Sequence, residues 1–422
     1  MPDPVGRLRT GAVPSRPRTP AELPLPVDTD RLRDGAAPVL AALGRPGSRQ
    51  LLPTPALVCD VDALDHNLDT LACRAAAAGV TLRPHAKTHK SAFVARLQLA
   101  HGAVGIACAS VSEADALVRR LGRGDGGGPG AEAISVLVTS PVVGPVAARA
   151  ADLATRCALL VAVDHPDGAD ELAAAVDRNR PGVPGAVGVV CDVDVGLGRT
   201  GVTGPHQAMD LARRVATRRG LWFAGVQGYA GHAQHLADRW SRTAAVRDGN
   251  RRLRAVVEAL EADGHVVGLR TGGGTGTSGP DLELGGLDEL QAGSYVFMDR
   301  EYHDALADDP DGAFAQSLFV TTTVVSDNQP GFVTVDAGLK AMATDAGTPG
   351  VVDAAEGVTY HFFGDEHGLV TRGSVDRFRR GDRLDLVPPH CDPTVDRYDV
   401  LWLVRGDTVV GVADIDARGC SQ

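Results

Sequence analysis

From Ala56 to Phe297 the sequence switches repeatedly between short apolar runs and longer amphipathic stretches, and this alternation narrows the possible folds more than any other feature. The apolar runs fall near residues 81–83, 105–108, 134–138, 158–163, 186–193, 222–228, 266–270 and 293–297, with helical stretches between most of them. A strand followed by a helix must cross back before the next strand begins, so such strands pair in parallel. Eight of them in roughly 240 residues predict a (β/α)8 barrel of the TIM type. A doubly wound parallel sheet has the same local pattern and is the alternative.

The flanks read differently. Residues 1–35 are rich in Pro and Arg without periodicity and are expected to form a flexible tail. Ala56–Cys59 reads as a short strand, after which Asp60 or Asp62 caps a helix to about Ala78, with Leu64, Leu68 and Leu71 at helical spacing. Beyond Leu306–Asp311 the chain turns β-rich, in runs such as 317–325, 332–336 and 400–404, with turns at 328–331 and 405–407. No amphipathic helix is expected after residue 311. The expected division is therefore a tail (1–35), an α/β barrel (50–305) and an all-β C-terminal domain (312–422), which the early strand at 56–59 can join. Gly124–Gly130 reads as a surface loop.

Composition removes several classes of function. The 422 residues carry a net charge of −11 with no basic run interleaved with aromatics, which speaks against nucleic acid as the partner. The lack of a membrane-length apolar stretch or signal-peptide pattern predicts a soluble protein with no membrane partner. Seven scattered cysteines, several inside apolar runs, suit the reducing cytoplasm.

Lysine is nearly eliminated in favour of arginine; only Lys87, Lys90 and Lys340 remain. Arginine can carry surface charge but cannot form a Schiff base, so the surviving lysines are candidates for covalent chemistry. Lys87, flanked by His85 and His89, falls just past a strand end, where barrel enzymes keep their reactive groups. Asp194 and Arg199 follow the run 186–193. Tyr229, His232 and His235 follow the run 222–228, although a histidine there can equally be structural. The loop Thr271-Gly-Gly-Gly-Thr-Gly-Thr-Ser278, with Gly273, Gly274 and Thr275 at its centre, offers amide and hydroxyl donors for a phosphate. In the β-rich part, prolines on both sides predict an extended His390-Cys-Asp392. There His390 and Asp392 point the same way and can chelate a divalent ion, unless the segment is a polar turn. Gly364–Gly368 is a second polar cluster, either a turn or a contributor to the same site. A lysine, a phosphate nest, a strand-end arginine and a possible metal pair together describe a pyridoxal 5'-phosphate site, with Arg199 at the ring nitrogen.

At this point the chain resembles the D-threonine aldolases. These belong to the alanine-racemase-like (fold type III) pyridoxal phosphate enzymes, which also include the D-serine dehydratases. The resemblance runs from Thr54 to Asp414. It rests on Thr54-Pro-Ala, Arg83-Pro-His-Ala-Lys-Thr-His-Lys90, Gly196-Leu-Gly-Arg-Thr-Gly201, Gln234-His235, Gly293-Ser-Tyr-Val-Phe-Met-Asp299, Asp336-Ala-Gly-Leu-Lys340, Gly364-Asp-Glu-His-Gly368 and Pro389-His-Cys-Asp-Pro-Thr394. It implies that Lys87 carries the cofactor and that Arg199, Tyr229, Ser294 and Tyr295 contact it. It further implies that His235 is the acid/base, that His390 and Asp392 bind Mn²⁺, Mg²⁺ or Zn²⁺, and that the enzyme is a homodimer. The implied reaction is cleavage of D-threonine and related D-β-hydroxy-α-amino acids to glycine and an aldehyde. Dehydration of D-serine or D-threo-3-hydroxyaspartate is the alternative, which the resemblance associates with His-x-Cys instead of the His-x-Asp seen here. A non-catalytic pyridoxal phosphate carrier is the third reading. Ala230 stands where a more polar residue is expected and His232 is an extra imidazole, which bears on substrate preference.

Overall fold

The computed structural model describes residues 25–27, 31–32, 35–122, 133–307, 314–373 and 378–421. The loop Gly124–Gly130, most of the expected tail and the stretch 308–313 lie outside the described residues. A short helix α1 (Ala37–Ala41) precedes β1 (Ala56–Asp60) and α2 (Val61–Ala77). Asp60 starts α2 by accepting hydrogen bonds from the Asp62 and Ala63 N–H groups, both at 3.0 Å. The cap satisfies donors that the first turn leaves open.

Eight parallel strands follow: β2 (Thr81–Leu82), β3 (Ile106–Cys108), β4 (Ser135–Val138), β5 (Ala158–Val163), β6 (Val187–Val193), β7 (Leu221–Gly228), β8 (Leu269–Gly272) and β9 (Glu289–Leu290). Between them run α3 (Ala92–Ala100), α4 (Val111–Leu121), α5 (Pro145–Leu153), α6 (Pro166–Asn179), α7 (Pro205–Ala216), α8 (Arg239–Ala262) and α9 (Ser278–Leu284), and α10 (Arg300–Leu306) comes after β9. The strand order is β2-β9-β8-β7-β6-β5-β4-β3. Its two ends meet where the Val104 N–H donates to Leu82 O (2.8 Å) and the Ala107 N–H to Pro84 O (2.9 Å), closing the (β/α)8 barrel.

The barrel interior has two layers. One is apolar, made by Leu137, Leu160, Val190, Ala224 and Leu269 with Trp222 packed on them. Gly188 makes room for it, because a Cβ there would lie 2.4 Å from Leu160 Cδ2. Two residues further along β6 and β8, and three along β7 past its register shift, the layer becomes polar, at Asp192, Gln227 and Thr271. Gln227 donates to Asp192 (2.9 Å), Thr271 and Arg83 donate to Glu289 (2.9 and 2.8 Å), and Gln291 donates to Thr271 (2.9 Å). The network pairs every one of these buried groups, as burial requires.

That polar layer explains one correction. The eighth strand is Glu289–Leu290, whereas 293–297, expected to be that strand, holds the 3-10 turn Ser294–Val296. Glu289 and Gln291 face the barrel network, so β9 lacks an apolar signature. Tyr295, Val296 and Phe297 are apolar because the turn is buried. The seventh strand likewise begins at Leu269, while Val266 is exposed.

The C-terminal part is a nine-stranded sheet. It comprises β1 with β10 (Leu318–Ser326), β11 (Phe332–Val335), β12 (Gly350–Val351), β13 (Tyr360–Phe362), β14 (Gly368–Thr371), β15 (Arg383–Val387), β16 (Val400–Arg405) and β17 (Thr408–Asp414). The main path is β13-β14-β11-β10-β1-β16-β17, with β15 beside β10 and β12 beside β15. The early strand β1 thus belongs to this sheet, antiparallel to β10 and parallel to β16. Among the described residues one helix interrupts the β-rich part: α11 (Cys391–Val395), where an extended segment is expected. Pro393 is compatible with it because it sits in the first turn, whose N–H groups need no helical partner.

Candidate active site

Lys87 owes its position to a tight turn at the mouth of the barrel. After β2 the chain is extended through His85, then forms the 3-10 turn Ala86–Thr88, capped as the Lys87 N–H donates to His85 Nδ1 (3.4 Å). His85 Nε2 in turn meets Thr139 Oγ1 at 3.1 Å. Burial and the neighbouring Lys87 ammonium push the His85 imidazole down to about 3, so the ring is neutral.

Lys90 ends the turn in a left-handed conformation, φ 51°. Such a φ costs a non-glycine residue about 1–2 kcal/mol. It is held there from outside: Ala417 N–H donates to Lys90 O (2.9 Å), and Lys90 Nζ lies 3.1 Å from Asp396 and 3.7 Å from Glu113. Lys87 and Lys90 therefore diverge, Lys87 toward the cavity and Lys90 into a buried ion cluster. Lys340 pairs with Glu366 on the surface.

The cavity at the barrel mouth has a volume of about 400 Å³. Its wall includes Lys87, Arg199, Tyr229, Gly273, Gly274, Thr275 and Ser294, seven of the expected site residues. Arg199 lies over the Tyr229 ring at 5.8 Å. The glycines are required by close neighbours: a Cβ at Gly274 would lie 2.4 Å from Gln234 Oε1, and Gly273 has φ +70°. Gln234 buttresses the loop, accepting from the Gly276 N–H (3.0 Å) and donating to Thr277 Oγ1 (3.0 Å). The Gly274 N–H bonds to Asp281, so the loop spends some of its donors internally, contrary to the open run of amides that the sequence suggests.

Of the pair from the β-rich part, Asp392 meets two residues of the cavity wall. Asp392, on α11, makes an ion pair with Lys87 Nζ and lies 3.5 Å from Ser294 Oγ. Burial opposes its charge, but the Lys87 ammonium holds Asp392 well below the usual carboxylate range. His390 Nδ1 contacts Asp345 Oδ2 at 2.7 Å. Burial works against a proton on His390, yet Asp392 and this hydrogen bond raise its pKa. Cys391 lies between them but is fully buried, and burial pushes its thiol well up, so it stays a neutral thiol. His235 stands at the rim, its ring 4.6 Å from Tyr302, a residue of the cavity wall, and its Nδ1 3.6 Å from Glu301.

Two expected contributors lie elsewhere. The Tyr295 side chain is buried in the core, its hydroxyl 3.4 Å from Gln98 and its ring 5.7 Å from Phe314, so it does not form the cavity wall. Only its N–H serves the site, donating to Thr275 Oγ1 (3.0 Å). The Gly364–Gly368 cluster forms the turn between β13 and β14 and pairs with Lys340, not Lys87.

Comparison with known proteins follows the same outline. Residues 59–301 match the model of the alanine racemase N-terminal domain, and residues 317–404 match that of a serine dehydratase domain. A D-threonine aldolase of an Arthrobacter species is 36% identical over 395 residues, covering 93% of this chain and 99% of that protein. The chain belongs to the D-threonine aldolase family of alanine-racemase-like enzymes. A 3-hydroxy-D-aspartate aldolase of Paracoccus denitrificans (strain Pd 1222) is also 36% identical, over 87% of this chain and 92% of that one. The crystal structure of D-threonine aldolase from Filomicrobium marinum superposes with a TM-score of 0.82 at 35% identity, covering 88% and 98% of the two chains.

As a D-threonine aldolase family member the protein is a lyase, and pyridoxal phosphate is the cofactor of its fold family. The cavity fits that cofactor, with a lysine beside a glycine cradle that leaves no room for a Cβ at Gly274. His390 and Asp392 fit a divalent cation by their chemistry, because an imidazole whose Nδ1 meets a carboxylate presents Nε2 outward. Several residues at the site lack any signal in the sequence pattern. Thr139 and Tyr302 stand on the wall, Gln227 spans β6 and β7, and Asp345 orients His390. Asp299 closes the motif Gly293–Asp299. It caps α10 through Tyr302 N–H (2.9 Å) and receives the Cys391 N–H (2.8 Å), joining the end of the barrel to α11.

Proposed function

We propose that this cavity cleaves D-threonine and related D-β-hydroxy-α-amino acids to glycine and an aldehyde. The observation that carries the reading is the meeting of Lys87 with Asp392: the reactive lysine on the wall of the barrel cavity pairs with a carboxylate of the β-rich part. Lys87 would hold the cofactor aldehyde, the Gly273–Thr275 loop its phosphate, Arg199 its ring nitrogen, and Tyr229 and Ser294 its flanks. His390 and Asp392 would hold the cation, with Mn²⁺ the first choice and Mg²⁺ or Zn²⁺ behind it. Bound there, pyridoxal phosphate supplies the sink for charge left on the α-carbon, and the cation acidifies the β-hydroxyl.

His235 is the base in this scheme. Burial lowers its pKa and Glu301 only partly restores it, so the ring is neutral near pH 7 and ready to accept the hydroxyl proton. With that proton gone the Cα–Cβ bond breaks, releasing the aldehyde and leaving glycine. A dehydratase would instead expel the hydroxyl. Cys391 is buried as a neutral thiol and the group that meets Lys87 is the Asp392 carboxylate, which favours the aldolase reading. The working enzyme is proposed to be a homodimer of the reducing cytoplasm, which its seven free cysteines suit.

Substitution of Asp392 tests the assignment. Asp392→Ala with excess Mn²⁺ is expected to keep the visible absorbance of bound cofactor and lose D-threonine cleavage, whereas Cys391→Ala keeps most activity. The reverse pattern would move the metal to the thiol and favour elimination.

A further inference from the structure

The barrel carries a second convergence of ligand-type atoms, on its helical shell. Asp65 and Asp69 lie four residues apart on one face of α2. His101, the C-cap of α3, reaches across to both, with Nε2 3.3 Å from Asp65 Oδ1 and 3.4 Å from Asp69 Oδ1. The imidazole is buried, only 2% of its side chain being exposed, while Asp69 is 46% exposed. The cluster is therefore closed on the histidine side and open to water on the Asp69 side. None of the three lines the Lys87 cavity.

These contacts are close without being hydrogen bonds. His101 Nε2 and Asp65 Oδ1 are both buried and both lack a hydrogen-bond partner. Leaving such atoms unpaired costs on the order of 1–3 kcal/mol each. The other ring nitrogen is committed, since His101 Nδ1 lies 2.7 Å from the Leu97 carbonyl, which can only accept. Nδ1 thus carries a hydrogen, and Nε2 is the ring atom turned toward the two carboxylates. A cation bound by Nε2 and the two carboxylates would satisfy the buried atoms left without partners. The spacing agrees, because ligands bonded at about 2.1 Å in a tetrahedral shell lie about 3.4 Å apart. A backbone carbonyl holding the far nitrogen is the usual support of a metal-bound histidine. The carboxyl-terminal end of α3 adds partial negative charge beside the site.

We propose that Asp65, Asp69 and His101 bind a divalent transition cation, Zn²⁺ or Mn²⁺, which staples α2 to α3 and is separate from the cation held by His390 and Asp392. Two carboxylates and one imidazole suit these ions better than Ca²⁺, which prefers oxygen alone. Water completes the shell on the open side, so the role is structural.

The test is metal counting on the pyridoxal phosphate-loaded enzyme, stripped with chelator and dialysed against Zn²⁺ or, separately, Mn²⁺. Wild type is expected to retain two equivalents per chain, Asp69→Asn and His390→Ala one each, and the double variant none. Zn²⁺ should raise Tm in His390→Ala but not in the double variant. Asp69→Asn, at a half-exposed position, carries the test if His101→Gln fails to fold. Full retention by Asp69→Asn, or no metal on His390→Ala, would overturn the proposal. One equivalent that Asp69→Asn removes and His390→Ala leaves in place would support this site and contradict the proposed catalytic pair instead.

Discussion

Lys87, Lys90 and Lys340 differ less in chemistry than in what the fold places beside them. Lys87 meets Asp392 on the cavity wall, Lys90 is buried between Glu113 and Asp396, and Lys340 pairs with Glu366 in solvent. Lys87→Ala should therefore abolish the visible absorbance of bound cofactor while Lys340→Ala keeps it; absorbance that survives in Lys87→Ala would reassign the attachment. Asp345 acts through His390, and losing such an outer carboxylate typically weakens metal affinity about 10–100-fold. Asp345→Asn should show that loss in a Mn²⁺ titration of activity. For His235, burial sets the pKa below the ordinary 6.5 and Glu301 pulls it part-way back. Because the base must be unprotonated, the acid limb of kcat/KM for D-threonine should fall below pH 6.5, and Glu301→Gln should move it lower still. A limb that moved upward would remove His235 from this role. Lys87, Arg199 and Tyr229 could be read from the chain because they fall directly after strands. Asp345 and Thr139 could not, because their partners lie 45 and 54 residues away and no local pattern links them.

The elements that build the site are short, and their boundaries follow from polar contacts that periodicity does not reveal. Strand β9 has two residues and is lined by the Glu289 and Gln291 network, so its pattern is polar where a strand is expected to be apolar. Helix α11 is hidden by its prolines, yet it is docked at both ends. Asp299 receives its Cys391 N–H, and Lys90 binds its C-cap Asp396. Lys87 and Lys90, on one turn, thus face Asp392 and Asp396 on one helix. Removing Lys90 leaves the Glu113 carboxylate buried and loosens α11 against the cofactor turn. Breaking a buried pair in this way costs about 3–5 kcal/mol. Lys90→Met should lower Tm on the order of 5–10 °C and weaken Mn²⁺ activation while the cofactor absorbance persists. An unchanged Tm would show that the ion cluster does not hold the two elements together.

At the scale of the whole molecule, the alternation of apolar and amphipathic stretches predicts parallel strands with helical crossovers, while closure into a barrel rests on contacts between the first and second strands, such as Val104 N–H to Leu82 O, that no local pattern carries. The joining of the two parts was harder to see. Strand β1 precedes the barrel in sequence yet sits between β10 and β16, and it leads directly into α2. The β-rich part thereby brings Asp392 against Lys87 and Ser294, residues of a cavity whose walls come from strand ends of the barrel. The most direct test of this account is product analysis of the purified enzyme with pyridoxal phosphate, Mn²⁺ and D-threonine. Glycine and acetaldehyde in equal amounts are the predicted result; 2-oxobutanoate with ammonia would contradict it and make the Lys87–Asp392 cavity that of a dehydratase.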